Sequence, residues 1–479
     1  MSTNSKKLSP FGMNRRIIIG GLLMASGGIL SSCKMPSTGE KLKNKGKVLL
    51  DGVPKTPLGL KNAVQFPLIE SIHGRRSRRF SVGANIPDGP LKFSSKHDPL
   101  PLTDLEQMMI LTTVAGNTGW LDLIPYNKNY LPHIPNYTSS AGGRTFPSAA
   151  GFHTTEFFYT DDNGTYFLTT RDAPSLAERD IQGRIDLNDY LKAHKSRIQK
   201  LSDKRLNIPQ TPEHMEMHNT WCANVPGSTL IIPVADAAQH HIASLMYLVQ
   251  NGACIYDDIN KTPIPGIEKF SSIVDIENPY PLTFVDQLTL SEVTVEISTS
   301  CYAGMLMQQA MGLGGWMFDG INPFSVLGAS GDPEVPGLGF SFDVDERWPL
   351  PNITGLPGVF EGYCPPHYKD MRAAVEALSE RKFGPGGPYN PDTPGPYKNN
   401  AGVRKSGKVH NEEFKECVTT MAQYIYDTFG KFPATVPSIF AMMYLQTHHL
   451  DIDFHNEHFT EGSYLETHAE HMKSWHSNT

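Results

Sequence analysis

The sequence predicts an α+β protein, and three stretches carry that prediction. Residues 156–160 and 164–168 are aromatic-rich runs around Asp161-Asp162-Asn163-Gly164, turn chemistry that reads as a β-hairpin. Residues 228–235, Ser-Thr-Leu-Ile-Ile-Pro-Val-Ala, form an apolar run typical of a strand covered on both faces, and 238–251 then read as a helix ending near Gly252. In the third stretch a helix over about 293–311 has Gly312 as its stop and is followed by a strand towards Phe318. Strands and helices interleaved in this way imply a sheet flanked by helices.

Length and composition bound the rest. The chain has 479 residues, a formal net charge of -7, 39% hydrophobic and 19% charged residues, so a large core is available. Without a basic surplus, no nucleic-acid partner is expected. The 42 glycines and 37 prolines predict long irregular connections. Cys222, Cys254, Cys301, Cys364 and Cys417 show no CxxC spacing, so they read as buried thiols, with neither a metal ribbon nor a disulfide framework implied.

Residues 1–33 read as targeting sequence. Asn14-Arg15-Arg16 precedes the apolar run 17–30, which is too short to span a bilayer and has the length of a signal core. Leu30-Ser31-Ser32-Cys33 resembles the lipobox of bacterial lipoproteins, which implies lipidation at Cys33, and the paired arginines resemble a twin-arginine export signal. The expectation is an exported, membrane-anchored lipoprotein, periplasmic or on an outer face. Residues 34–63, with Lys41, Lys43, Lys45 and Lys47 among Gly, Pro and Ser, predict a flexible tether.

Further along, Thr103 is placed to cap a helix, with Glu106 completing a capping box. The charged stretch 172–228 reads as an insertion with a helix over 187–201. It ends near His214-Met215-Glu216-Met217-His218, whose histidines at i, i+4 would share one face of a helix as a metal pair does. The glutamate does not follow the first histidine, so the zinc-protease order is absent.

His73-Gly74-Arg75-Arg76-Ser77-Arg78-Arg79-Phe80 sets four guanidinium groups within five residues. They repel one another unless an anion neutralises them, and phosphate matches both the planar fork of arginine and the serine hydroxyl. A solvated basic face is the other reading of such a run. The segment precedes Pro99-Leu100-Pro101-Leu102-Thr103 and Ala115-Gly116-Asn117-Thr118-Gly119. Farther on come Gly142-Gly143-Arg144-Thr145-Phe146-Pro147-Ser148-Ala149-Ala150-Gly151 and Ala310-Met311-Gly312-Leu313-Gly314, closing at Phe318-Asp319-Gly320.

In this order the stretches resemble the nitroreductase family of flavin enzymes, most closely its azoline-oxidase branch. The resemblance covers about 64–345 and implies a nitroreductase-like fold with a mixed, mostly antiparallel sheet and FMN as cofactor. It implies phosphate contacts from Arg75, Arg76, Ser77 and Arg79, ring contacts from Pro147, Ser148 and Ala149, and edge contacts from Asp319 and Gly320. A homodimer, a small-molecule electron donor and a small-molecule acceptor are also implied. No catalytic side chain is named, because the flavin carries the chemistry. The Lys-Tyr pair of azoline oxidases is absent ahead of the central helix, where the chain reads Pro281-Leu282-Thr283-Phe284-Val285-Asp286-Gln287, so the substrate is left open. Arg404 and Lys405 are the only candidates for the late basic pair of classical members.

A last core strand is expected at 337–340, and residues 346–479 read as a carboxyl-terminal extension. Helices are expected over 368–382, 412–429 and 438–445, with a Pro/Gly-rich arm over 384–396. Seven histidines and six carboxylates fall between His448 and His476. They are enough for a metal site, with His448, His468 and His471 as candidates, although no metal is assigned. The readings set against a flavin enzyme are a non-catalytic lipoprotein with a degenerate scaffold, and a metal-binding protein centred on this tail.

Overall fold

The computed structural model describes residues 48–50, 52–53, 56–120, 142–171 and 184–476, so the signal segment, Cys33 and the earlier part of the tether lie outside the described residues. Seven strands build the main sheet: β1 Thr155–Asp161, β2 Gly164–Leu168, β3 Ile198–Ser202, β4 Thr229–Asp236, β5 Gly314–Phe318, β6 Ile439–Phe440 and β7 Tyr444–His448. Their order is β5-β7-β4-β1-β2-β3, with β6 also on β4, and each of these pairings is antiparallel. Parallel pairs occur outside this sheet, at 48–49 with 185–186 and within 253–281, so the α+β expectation of a mixed, mostly antiparallel protein holds.

The expected hairpin is β1–β2, and β4 is buried along its whole length. Pro233 falls between the β4 residues paired with β7 (229–231) and those paired with β6 (235–236), where the ladder on that side is interrupted.

Among the described helices, α1 Leu58–Ala63, α2 Leu68–Gly74, α3 Asp104–Val114, α4 Ala237–Gln250, α5 Leu282–Met311, α6 Met371–Phe383, α7 Glu412–Phe429 and α8 His471–His476 concern the site. The 30-residue α5 is the longest and starts eleven residues earlier than expected, because Pro281 closes the preceding strand and serves as its N-cap. Its stop is as read: Gly312 has φ +77, and a Cβ there would lie 2.0 Å from the Thr467 carbonyl oxygen. Close packing of α5 on the sheet passes through Gly304, where a Cβ would come within 2.3 Å of Leu445 and 2.6 Å of Val114.

Four local expectations are corrected. Residues 438–445 are not helix: they supply β6 and the first two residues of β7, since apolar residues there fill the ladder beside β4. The 187–201 helix ends at Lys195, and Ile198–Ser202 pairs with β2 instead. Residues 337–340 are not strand; Ser341–Asp343 follows in a small separate sheet. Residues 48–63 are not all tether, because Val48–Leu49 pairs with Ile185–Asp186 and α1 inserts the fully buried Leu60. One apolar core surrounds the sheet, α3 and α5, and a second joins α4, α6 and α7. All five described cysteines are buried and free.

Leu445 is fully buried at the α5–sheet contact, so Leu445→Ala is expected to lower stability by about 3–5 kcal/mol in urea titration. Asp286, also fully buried, accepts from the Thr435 N–H (2.6 Å) and hydroxyl (2.7 Å). Burial pushes its carboxyl up to about 6, more than the hydrogen bonds from Thr435 pull it down. The folded chain therefore holds a proton that the unfolded chain releases near pH ~4, and stability falls as pH rises from there through 6. In Asp286→Asn that part of the slope, up to about 3 kcal/mol, is expected to vanish from urea midpoints measured across the window.

Candidate functional site

The arginine segment lies along the free edge of β5. Arg78 N–H donates to the Gly315 carbonyl (3.2 Å), and Gly315 N–H donates to the Arg78 carbonyl (2.9 Å). The Arg78 side chain is buried and donates to Gln309 Oε1 (2.7 Å) and to the carbonyls of Ser463 (3.1 Å) and Gly74 (3.2 Å). Burial, and then the charge of Arg76, lowers its pKa to about 10. Arg78 thus ties α2, α5 and the carboxyl-terminal segment together.

Its neighbours are bound differently. Arg75 lies 4.0 Å from the Met305 sulfur and over the Tyr302 ring at 5.8 Å. Arg76 is exposed and donates to the carbonyls of His73 (2.9 Å) and Arg75 (2.8 Å), Ser77 is exposed, and Arg79 lies over the Trp316 ring at 5.3 Å. None of these three arginines has a carboxylate partner among the described residues. They do not converge on one point, however. A Cβ on Gly315 would lie 2.5 Å from Gln308 Nε2, so Gly315 faces α5 and Trp316 faces away. Arg75, against α5, and Arg79, over Trp316, lie on opposite faces of the edge strand.

The second expected stretch is held by α5. Ser148 Oγ donates to Glu296 Oε1 (2.5 Å) and accepts from the His153 N–H (2.9 Å), while Glu296 Oε2 accepts from the N–H and hydroxyl groups of Thr154 and Thr155. Pro147 is exposed, and Ser148 and Ala149 are half-buried. Ala150 and His153 have φ of 49° and 48°, left-handed backbone that strains a residue with a side chain, and Gly151 (70°) between them adopts it freely. In the third stretch Asp319 is exposed and Gly320 is buried, its carbonyl accepting from the Glu216 N–H (3.1 Å). Backbone hydrogen bonds between Arg78 and Gly315 join the first stretch to the third, and no hydrogen bond or ion pair among the described residues joins Pro147, Ser148 or Ala149 to either.

Other candidates have structural partners. Arg404 is buried and donates to the carbonyls of Thr393 (2.9 Å), Pro388 (2.6 Å) and Pro394 (2.6 Å), shaping the Pro/Gly arm, and Lys405 is exposed. His214 and His218 lie in turns; the first meets Ser325 (2.8 Å) and the second Glu216 (3.4 Å).

The histidine-rich tail is better assembled. Thr103 and Glu106 form the expected capping box at the start of α3, with Glu106 Oε2 accepting from the Thr103 N–H and hydroxyl, both at 2.7 Å. Its other oxygen, Oε1, lies 3.4 Å from Nε2 of His449, 2.9 Å from Nε2 of His471 and 3.0 Å from Nε2 of His476. Burial would raise the Glu106 carboxyl, but the three imidazoles outweigh it and hold the group below the ordinary carboxylate range. One ligand atom from each of the four residues lies within 4.8 Å of the others.

Of the tail residues singled out from sequence, His471 is in this group. His448 instead meets the Arg78 carbonyl (3.0 Å), and His468 Nδ1 accepts from the Leu465 N–H (3.2 Å); burial lowers both to about 3. Sequence reasoning missed Glu106, read only as a cap, and His449 and His476. The adjacent His448-His449 pair at a strand end is the one local sign, since neighbouring residues there face opposite ways.

No family model matches the chain, and no curated protein matches it. Among solved structures, one provisionally described as a nitroreductase from Ralstonia eutropha is 14% identical, covers 54% of this chain and 71% of its own, and has a TM-score of 0.25. A likeness that loose carries no argument about the site.

The division among the arginines can be measured. Arg78→Met is expected to cost about 2–4 kcal/mol in urea unfolding, because it orphans the buried Gln309 Oε1 and two part-buried carbonyls. Arg79→Met, which loses only a ring contact, is expected to cost at most about 1 kcal/mol.

Proposed function

We propose that this chain is an FMN-dependent oxidoreductase of the nitroreductase kind, passing electron pairs between a small-molecule donor and a small-molecule or peptide acceptor. The observation that carries the proposal is the set of guanidinium groups at Arg75, Arg76 and Arg79, uncompensated by any described carboxylate in a chain whose net charge is -7. Arg75 and Arg76, adjacent and without a described carboxylate partner, with the Ser77 hydroxyl exposed next to them, fit an anion of phosphate type. When bound, FMN would supply reversible two-electron chemistry.

The roles of the chain's own residues follow from their places. Arg75, Arg76 and Ser77 would bind and orient the phosphate at the carboxyl end of α2, with Arg79 adding charge over Trp316. The small residues of the 147–149 turn, pinned through Ser148 to Glu296, would allow a flat ring to approach closely. Asp319 and Gly320 would offer backbone groups at the end of β5.

A second copy of the chain belongs to the same reading. Leu68, Ile69 and Ile72 on α2 and Val295 and Tyr302 on α5 are exposed apolar groups, and Arg75 lies over Tyr302. A homodimer that covers this face would bring partner groups to the spread-out site. We further propose export and membrane anchoring through lipid at Cys33. Among the described residues, no helix is long and apolar enough to cross a membrane.

Wild type is expected to hold FMN with visible flavin absorbance. Arg75→Ala is expected to weaken it roughly 10- to 150-fold in fluorescence titration, at about 1.5–3 kcal/mol for one charged contact, and Arg79→Ala, on the other face of the strand, by less. A colourless wild type that takes up no FMN even at excess would end the proposal.

A further inference from the structure

We propose that Glu106, His449, His471 and His476 bind one divalent first-row transition-metal ion of the zinc class, at a centre whose argument is independent of the flavin reading. The case begins with proton positions. Nδ1 of His449 lies 2.9 Å from the Leu100 carbonyl oxygen, and Nδ1 of His471 lies 2.8 Å from that of Met311. A carbonyl only accepts, so both Nδ1 atoms carry the proton, and in the neutral rings both Nε2 atoms present lone pairs.

Those lone pairs face Glu106 Oε1, at 3.4 and 2.9 Å, and Nε2 of His476 comes to the same oxygen at 3.0 Å. Glu106, His449 and His471 are at most 3% exposed. Lone pairs pointed at a buried carboxylate oxygen repel unless something positive sits among them. Protonating the rings would meet that need only by burying imidazolium groups beside one another, with ring centres 5.1–5.7 Å apart and one carboxylate between them. A single divalent ion takes all four donors at once.

His471 adds a separate sign. Its Nε2 is buried, lies 2.9 Å from the oxygen without hydrogen-bond geometry, and has no other partner. The surroundings match those of metal ligands: each of the two Nδ1–H groups is held by a backbone carbonyl, and Thr103 holds Glu106 Oε2, leaving Oε1 to coordinate. The oxygen-to-nitrogen separations bracket the edge of about 3.3 Å in a tetrahedron with bonds of ~2.0–2.1 Å. Three imidazoles and one carboxylate suit zinc, iron(II), cobalt(II) or manganese(II) better than calcium or magnesium, which prefer oxygen. Four protein ligands close the shell, so the centre staples the start of α3, the residue after β7 and the two ends of α8.

The test uses the full chain, purified without a histidine tag, stripped with chelator and titrated with cobalt(II) and zinc(II). Wild type is expected to bind one ion per chain, to show the intense visible bands of four-coordinate cobalt, and to unfold at a lower temperature once stripped. His471→Gln and His476→Gln are expected to bind at least about 100-fold more weakly and to lose the bands, while His448→Gln, next to the centre but outside it, keeps both. Glu106 also caps α3, so the partly exposed His476 is the variant that separates ligation from folding. No stoichiometric ion in the folded wild type, or equal affinity in folded His476→Gln, overturns the proposal. Neither result depends on whether the protein takes up flavin.

Discussion

Strand β7 has hydrogen-bonded neighbours on both sides, β5 and β4, yet it comes from residues 444–448, near the end of the chain. Without it β5 would have no ladder to join, and the arginine segment would have no edge to run along. A buried polar network fixes the strand. The Gln446 side chain donates to the Cys222 carbonyl (2.7 Å) and accepts from the Asn224 N–H (2.7 Å), while Gln308 on α5 donates to the Gln446 carbonyl (2.9 Å) and the Thr447 hydroxyl (2.7 Å). Slipping the strand by one residue would break all four contacts and turn its side chains to the wrong faces.

The same placement sorts the basic residues into two kinds. Arg78 is surrounded by carbonyls and an amide, so its charge is spent on holding α2, α5 and the carboxyl-terminal segment in register. Arg75, Arg76 and Arg79 meet rings, a sulfur and carbonyls but no carboxylate among the described residues, so their charge is uncompensated. One run of sequence thus supplies both a structural clamp and a surface of uncompensated charge. What separates them is the partner each one meets: Gly74, Gln309 and Ser463 enclose Arg78, whereas Arg75 and Arg79 lie against the Tyr302 and Trp316 rings.

Glu106 shows a comparable division within one side chain. One oxygen completes a capping box, a local device worth about 1 kcal/mol, and the other faces three histidines brought by the tail. Holding a helix start with one oxygen orients the second, which is what a monodentate ligand needs. His448 and His449 divide likewise, the first turned to the Arg78 carbonyl and the second to Glu106.

What the sequence determined by itself was local: the 156–168 hairpin, the buried strand before Asp236, the Thr103 capping box and the Gly312 stop, each resting on residues within a few positions of one another. The tertiary structure decided whatever depends on distant partners. It made 439–440 and 444–445 strand because β4 offered a ladder, turned 198–201 from helix to strand because β2 did the same, and drew Leu60 into the core. It also chose which arginine is buried and which histidines meet, since His448 and His468 look equivalent to His449 and His476 in one dimension. Ligand geometry is a matter of a few ångströms between residues hundreds of positions apart, and neither periodicity nor spacing along a chain encodes that.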